Sequence, residues 1–198
     1  MKVSQMLKPN PKKFFDIEKN VKEYIEACEG IDGRFLIEIL KKYLKPNATV
    51  LELGMGAGKD LDILSKIFEP TGSDNSQIFL DIYKQKNPDA DLILLNAVTL
   101  KTDRKFDCIY SNKVLHHLSK QDFKKSLKLQ KELLNNNGIL FHTFWLGEKE
   151  AKYQDLNFIQ YKINNLQDLF EKEFRLIKID TYQEMTINDS IYLIFKVD

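Results

Sequence analysis

The chain has 198 residues, a length that predicts one domain, and 43% of them are apolar, which is enough for a hydrophobic core. Thirty basic and 29 acidic side chains give a net charge of +1, which argues against broad electrostatic capture of nucleic acid. The sequence has no apolar run of about eighteen residues, and residues 1–15 lack the pattern of a secretory signal. We therefore expect a cytoplasmic protein that does not span a membrane.

The cysteine and histidine content excludes two further classes of site. Cys28 and Cys108 are too few for a disulfide framework and fit a reducing compartment. Three histidines without clustered cysteines do not make a structural zinc site, and the sequence also has no acidic trio for a catalytic metal. No metal is predicted.

The order of the predicted elements changes once along the chain. Residues 1–46 predict a helical cover, because apolar residues recur there at helical spacing on both sides of the break at 30–33. From residue 47 onward, short apolar runs alternate with amphipathic stretches. Strands are predicted at 48–53, 71–74, 92–95, 106–110, 139–144, 176–181 and 190–197, and helices at 59–68, 76–86, 119–134 and 166–174.

Alternating strands and helices of these lengths predict a doubly wound α/β fold with a mostly parallel sheet of seven strands. The last two strands are separated by little but turn residues, so we expect them to form an antiparallel hairpin at one edge. Residues 1–198 are interpreted as a single domain, in which a core of 47–198 carries an insertion at 146–164. Ligands of such sheets bind beyond the carboxyl ends of the strands, where the strand order reverses.

The clearest local motif is VLELGMGAGKD, residues 50–60, in which three glycines follow a predicted strand and precede a helix. Its pattern, E-x-G-x-G-x-G from Glu52, is not the G-x-G-x-x-G of a dinucleotide site, because position 59 is lysine. A carboxylate about 5 Å from a pyrophosphate would also cost roughly 3 kcal/mol per charge, whereas an ammonium group would be attracted. No G-K-[ST] follows, so a P-loop is excluded as well.

The motif resembles the first motif of class I S-adenosylmethionine-dependent methyltransferases, and the resemblance continues to about residue 145. It implies that the glycine bend contacts the methionine end of S-adenosylmethionine, whose product is S-adenosylhomocysteine. It also implies that Asp74, twenty residues after Gly54, binds the ribose hydroxyls through charge-assisted hydrogen bonds. Asn96 stands where the family usually has an acid for the adenine, and this is a departure. The resemblance implies these cofactor-binding residues: Tyr24, Glu52, Leu53, Gly54, Met55, Gly56, Gly58, Asp74, Asn75, Asn96, Ala97, Val98, Ser111 and Asn112.

The fourth predicted strand begins the segment FDCIYSNKVLHHLS, residues 106–119. The resemblance implies that the end of this strand and the loop after it lie between the cofactor and the acceptor. His116 and His117 are candidate general bases, although capping or packing remains an alternative for each. Trp145 and Tyr161 are candidate substrate-binding residues, because loops that follow a sheet carry specificity. His142 lies on a strand that is expected to be covered on both faces, and we interpret it as a core histidine.

The function predicted from these features is methyl transfer to a small molecule by a monomer or homodimer. One alternative is a cofactor-binding regulatory or partner subunit without catalysis. Another is a nicotinamide-dependent or nucleotide-sugar enzyme on a related sheet, and a third is an RNA or protein methyltransferase. The D/N-P-P-Y/F signature of amino-directed nucleic acid methyltransferases is absent from the sequence.

Overall fold

A computed structural model describes residues 13–154, 156–170 and 173–197. Two short 3-10 turns lie at Phe14–Asp16 and Leu115–His117. The helices are α1 (Glu18–Ala27), α2 (Arg34–Leu40), α3 (Lys59–Leu64), α4 (Gln77–Lys86), α5 (Lys120–Leu133) and α6 (Ile163–Phe170). The strands are β1 (Thr49–Leu53), β2 (Glu69–Asp74), β3 (Leu92–Leu94), β4 (Phe106–Ser111), β5 (Leu134–Trp145), β6 (Glu150–Tyr153), β7 (Leu156–Ile159), β8 (Arg175–Tyr182) and β9 (Ser190–Lys196).

Seven strands form one sheet in the order β3-β2-β1-β4-β5-β9-β8. The first five run parallel, while β9 runs antiparallel to both β5 and β8. This arrangement confirms the predicted α/β fold and its antiparallel terminal hairpin. The strand order reverses between β1 and β4, so the switch point lies beyond Leu53 and Ser111.

Alternate residues of the central strands face two different cores. Leu51 and Ile109 belong to the larger apolar cluster, which α5 and α6 cover, whereas Val50 and Cys108 belong to a second cluster that is covered by α2. Covering on both faces explains why these strands are apolar at nearly every position.

The structure differs from the predicted elements in the segment around β5. Strand β5 begins at Leu134, five residues before the predicted start, and continues through the NNNG turn residues. The segment 146–164 contains a separate antiparallel hairpin, β6–β7, that the sequence analysis treated as an insertion without strands. In the part of the chain that the structure describes, no helix is both long and apolar enough to cross a membrane.

Candidate functional site

A cavity of about 430 Å³ lies at the carboxyl ends of β1 and β4, at the switch point of the sheet. Its floor is the bend after β1, and its walls come from the first helical segment, the loop after β4 and the β6–β7 hairpin. Above it, the ring of Phe14 meets the ring of Tyr153 edge to face, with centroids 5.8 Å apart. A larger groove of about 850 Å³ lies elsewhere, beside α5 and α6, and is lined mainly by charged side chains.

Three glycines shape the bend at the floor of the cavity. Gly54, Gly56 and Gly58 have φ angles of +66°, +48° and +77°, a region that favours glycine. A Cβ at Gly54 would lie 2.7 Å from the side chain of Val114, and one at Gly58 would overlap the ring of Tyr83. The bend therefore holds its backbone close to the cavity in a conformation that other residues would strain.

Glu52 lies beside this bend and is 3% exposed. Its Oε2 atom has no hydrogen-bond partner among the described residues. Burial, together with the charges of Asp60, Asp74 and Asp62, raises the pKa of Glu52 well above its usual value. A buried carboxylate oxygen that lacks a donor and borders a cavity is suited to a cationic group such as an ammonium.

Asp60, in the first turn of α3, is a second buried carboxylate in the cavity wall, and the sequence analysis missed it. It accepts hydrogen bonds from the backbone N–H of Gly33 (2.5 Å), the hydroxyl of Tyr110 (2.7 Å) and the amide of Asn112 (3.1 Å). Burial raises its pKa despite these donors. An acid two residues after the last glycine was the available signal, but its three partners are distant in sequence.

Asp74 ends β2 and bonds directly to the glycine bend. Its Oδ2 accepts from the backbone N–H of Gly56 (3.0 Å), and its Oδ1 accepts from the N–H of Ser76 (2.9 Å). Burial raises its pKa. Each carboxylate oxygen retains a second lone pair, so the group can still accept hydrogen bonds from a pair of hydroxyls.

The residues predicted to contact adenine lie at the ends of β2 and β3, beside the cavity. The amide oxygen of Asn96 accepts from the backbone N–H of Val98 (2.8 Å), and its amide nitrogen donates to Asn75 (3.3 Å). The structure thus uses the Asn96 oxygen in a turn that follows β3, and Ala97 lies within that turn. Asn75, Asn96, Ala97 and Val98 do not line the cavity.

Helix α1 covers the glycine bend through Tyr24. The ring of Tyr24 lies 3.6 Å from the position of a Cβ at Gly56, and it meets Phe15 and Phe79 edge to face. Burial raises the pKa of Tyr24. Met55 lines the cavity beneath this cover, whereas Leu53 is only 1% exposed and packs in the core.

The loop after β4 separates two residues that were predicted to share a role. Asn112 lines the cavity and accepts a hydrogen bond from Thr143 (2.7 Å) while it donates to Asp60. Ser111, by contrast, is fully buried and bonds to Nδ1 of His142 (2.8 Å). The expectation that the side chain of Ser111 lines the cleft is wrong, because alternation along β4 turns it into the core.

His116 and His117 both line the cavity, and their ring centroids are 3.9 Å apart. His116 is 2% exposed, and neither of its ring nitrogens has a partner among the described residues. Burial lowers its pKa to about 2, so the ring is neutral at physiological pH. His117 is held by Asn157 of β7, whose backbone oxygen lies 2.6 Å from Nδ1, and burial also lowers the pKa of His117.

Lys113 and Trp145 form a charge-balanced wall near the histidines. The Nζ atom of Lys113 lies 3.8 Å from the centroid of the Trp145 ring and donates to Glu184 (3.0 Å) and Ser190 (2.8 Å). Burial lowers the pKa of Lys113. The lysine therefore neutralises Glu184 and does not present an unbalanced cation to the cavity.

Two other aromatic residues of the sequence analysis lie away from this cavity. Tyr161 is 3% exposed, packs against Phe123 and Phe144, and borders the larger groove. The structure contradicts its predicted position in the acceptor pocket, because the chain turns back into the core after β7. His142 is buried, and its two ring nitrogens bond Ser111 and Gln130 (2.8 Å each), as a satisfied core histidine would.

No cluster of three or more histidine, cysteine, aspartate or glutamate side chains that could hold a metal ion occurs within residues 13–154, 156–170 and 173–197. Glu52 and Asp60 line the cavity, and such acids suit an organic ligand with a cationic end.

Comparison with known proteins agrees with this geometry. Residues 50–138 match the sequence family described as a methyltransferase domain, and no curated protein matches the chain. A 1,6-didemethyltoxoflavin-N1-methyltransferase of Burkholderia thailandensis, solved with its substrate and S-adenosylhomocysteine, is 14% identical, with a TM-score of 0.75 over 89% of this chain and 86% of that one.

Two further solved structures have the same fold. An S-adenosylmethionine-dependent methyltransferase of Clostridium acetobutylicum is 16% identical, with a TM-score of 0.72 over 90% of this chain and 98% of that one. A putative methyltransferase solved with the Haloferax volcanii Trm112 activator is 11% identical, with a TM-score of 0.78 over 95% and 99%. At these identities the structures establish the fold alone. The chain therefore has the Rossmann-like fold of these methyltransferases, and its residues 50–138 match the methyltransferase domain family.

Proposed function

We propose that the protein transfers a methyl group from S-adenosylmethionine to a small molecule. The observation that carries this proposal is the buried, unpartnered Oε2 atom of Glu52 at the edge of the cavity. An α-amino group would supply the missing donor and the missing positive charge together, whereas a pyrophosphate would add negative charge beside three acids.

The other residues around the bend fit the remaining parts of the cofactor. The backbone of Gly54, Gly56 and Gly58 would contact the methionine portion, and the free lone pairs of Asp74 would accept from the ribose hydroxyls. Asn75, Asn96, Ala97 and Val98 would border the adenine, with the backbone N–H of Ala97 as a donor, since that of Val98 bonds Asn96. When bound, the cofactor supplies an electrophilic methyl group on a sulfonium.

The acceptor would lie against the part of the cavity that is formed by His116, His117 and Trp145. Both histidines are neutral at physiological pH, which is the state in which an imidazole can accept a proton. The walls contribute alignment, which can be worth on the order of 7–11 kcal/mol in a two-partner reaction. The Burkholderia protein acts on 1,6-didemethyltoxoflavin, and that likeness favours a small-molecule acceptor here.

Calorimetry with purified protein tests the cofactor first. We expect S-adenosylhomocysteine to bind, and NAD to bind at least about tenfold more weakly, the factor that one charge-assisted contact supplies. A protein that binds NAD and ignores both S-adenosylmethionine and S-adenosylhomocysteine at millimolar concentration would contradict the proposal.

Transfer of labelled methyl groups tests the reaction. The protein is incubated with methyl-labelled S-adenosylmethionine and, separately, with a metabolite fraction, total RNA or a protein fraction. We expect label in the metabolite fraction. Label in RNA or protein would favour the corresponding macromolecular methyltransferase, and binding without transfer in any fraction would favour a regulatory subunit.

A further inference from the structure

His117 and Asn157 are joined by two reciprocal hydrogen bonds across 40 residues of sequence. Nδ1 of His117 lies 2.6 Å from the backbone oxygen of Asn157, and the side-chain amide of Asn157 donates to the backbone oxygen of His117 (3.0 Å). The β6–β7 hairpin thus holds both the ring and the main chain of His117. In addition, the ring of Phe158 packs edge to face on that ring, at 4.9 Å.

The partner of Nδ1 decides which ring nitrogen carries the proton. A backbone carbonyl oxygen can only accept a hydrogen bond, so Nδ1 must be the donor. In a neutral imidazole the other nitrogen then has a lone pair, and the bond made by one nitrogen fixes the state of the other. Burial keeps the ring neutral by lowering the pKa of His117.

Nε2, the unprotonated nitrogen of His117, differs from Nδ1 in its contacts. Among residues 13–154, 156–170 and 173–197, Nε2 of His117 makes no hydrogen bond, and the residue lines the cavity. His116 differs, because both of its ring nitrogens are buried without partners and nothing fixes its tautomer. The two neighbouring histidines are therefore not equivalent.

We propose that Asn157 is a positioning residue that fixes His117 as the Nδ1–H tautomer, so that Nε2 is the proton acceptor for the methyl acceptor. This inference rests on the proposed function. It assigns the general base to one of the two candidate histidines, and it gives a role to a residue that the motif analysis did not include.

The chemistry of such a base limits the class of acceptor. The acceptor atom X forms a bond to the methyl carbon while the bond between that carbon and sulfur breaks. The electron pair of the broken bond remains on sulfur, which becomes a neutral thioether. The acceptor's X–H bond also breaks, its electron pair stays on X, and the proton binds Nε2 to give an imidazolium that later releases it to water. The acceptor is therefore a compound whose attacking atom carries a hydrogen, such as a hydroxyl or a ring N–H, and not a tertiary amine or a thioether.

Nuclear magnetic resonance of protein labelled with ¹⁵N-histidine tests the tautomer without any acceptor. Two-bond proton–nitrogen correlations distinguish a protonated ring nitrogen from an unprotonated one in each histidine, and His117→Gln assigns the signal. We expect His117 as the Nδ1–H form in about fivefold excess at neutral pH, because a hydrogen bond contributes about 1 kcal/mol. An Nε2–H form of His117 in the unmodified protein would overturn the inference.

Variants at position 157 test the role of Asn157 itself. Asn157→Ala keeps the backbone oxygen that bonds Nδ1 but removes the side-chain bond that holds the main chain of His117 against it. We expect the Nδ1–H excess to fall by a factor of up to about five as this alignment is lost, whereas Asn157→Gln should restore part of it. Asn135→Ala is the matched control, because Asn135 bonds Asp107 (2.8 Å) at the other end of the sheet. An unchanged His117 signal in a folded Asn157→Ala protein would overturn the assignment of Asn157.

Labelled methyl transfer tests the class of acceptor. Transfer to phenols and ring N–H heterocycles is compared with transfer to trimethylamine and dimethyl sulfide. We expect transfer only to the first group, and we expect His117→Gln to lower it about 100-fold or more. Transfer to the second group would overturn the inference. A protein that fails to bind S-adenosylhomocysteine would contradict the proposed function instead, while the tautomer could still be measured.

Discussion

The two ends of the cavity differ in charge and in the way they are built. At the bend after β1, the buried carboxylates of Glu52 and Asp60 line the cavity, and the partly buried Asp74 bonds Gly56 of the bend. The pKa of each of these acids is raised. At the other end, two histidines are held neutral by burial, and Lys113 is balanced by Glu184. One end of the cavity attracts a cation, while the other end presents neutral rings.

This difference favours different roles for the two ends of the cavity. The acidic end favours a ligand that brings positive charge, since the charges of Asp60, Asp74 and Asp62 raise the pKa of Glu52. The neutral end can align an acceptor and remove a proton without holding a charged group in the resting state. Substitutions at the two ends should therefore affect different measurements.

The largest effect is expected at the acidic end. Glu52→Gln should lower the affinity for S-adenosylhomocysteine about 10- to 100-fold, because a hydrogen bond to a charged group contributes about 1.5–3 kcal/mol. Calorimetry measures the affinity, and Glu69→Gln, at an exposed position, serves as the control. Equal affinities for Glu52→Gln and the unmodified protein would contradict the role of this carboxylate.

The same substitution should stabilise the free protein. The raised pKa of Glu52 means that the folded state binds this proton more tightly than the unfolded state, so the carboxyl group's contribution to stability is lost as pH rises through the raised pKa. Glu52→Gln is expected to raise the unfolding midpoint by about 2–4 °C at pH 8, which corresponds to about 1 kcal/mol, and by less at acidic pH. A lowered unfolding midpoint at pH 8 would show that the charge of Glu52 does not destabilise the folded protein.

A smaller effect is expected in the number of protons that are released when S-adenosylhomocysteine binds. Binding of an ammonium group lowers the raised pKa of Glu52, so binding of S-adenosylhomocysteine should release up to about one proton and tighten as pH rises toward the raised pKa. Calorimetry in two buffers with different ionisation enthalpies measures the released protons. The buffer dependence should disappear in Glu52→Gln, and its persistence there would assign the protons to another group.

The smallest effect on the affinity for the cofactor is expected from a substitution at the neutral end of the cavity. Trp145→Leu removes the ring that lies against Lys113, and we expect a loss of about 1 kcal/mol in the free energy of unfolding. Affinity for S-adenosylhomocysteine should change by less than about twofold, because Trp145 lies in the wall that faces the acceptor. A tenfold loss of cofactor affinity would mean that the two ends of the cavity are not separate.

The acidic end was accessible from the sequence because its signals are local. The glycine bend, Glu52 and Asp74 lie on consecutive β-α units, and their spacing fixes their positions at the carboxyl ends of adjacent strands. Asp60 escaped notice because its meaning depends on Gly33, Tyr110 and Asn112, which meet it only in the folded chain.

The neutral end could be predicted only in part. His116, His117 and Trp145 follow predicted strands, so their neighbourhood could be inferred, but Asn157 reaches His117 through a hairpin that has no strong sequence pattern. The errors at Ser111 and Tyr161 have different physical causes. Ser111 ends β4, where a side chain points either to the ligand or to the core and a shift of one residue reverses that direction. Tyr161 lies after β7, where the chain turns back into the core.

The edge-to-face contact between Phe14 and Tyr153 affects how a compound enters the cavity. Such a pair contributes about 0.5–1.5 kcal/mol beyond the apolar area that it buries, and Phe14 also packs on Phe15. A compound that enters between the first 3-10 turn and the β6–β7 hairpin therefore has to separate the two rings before it reaches the histidines.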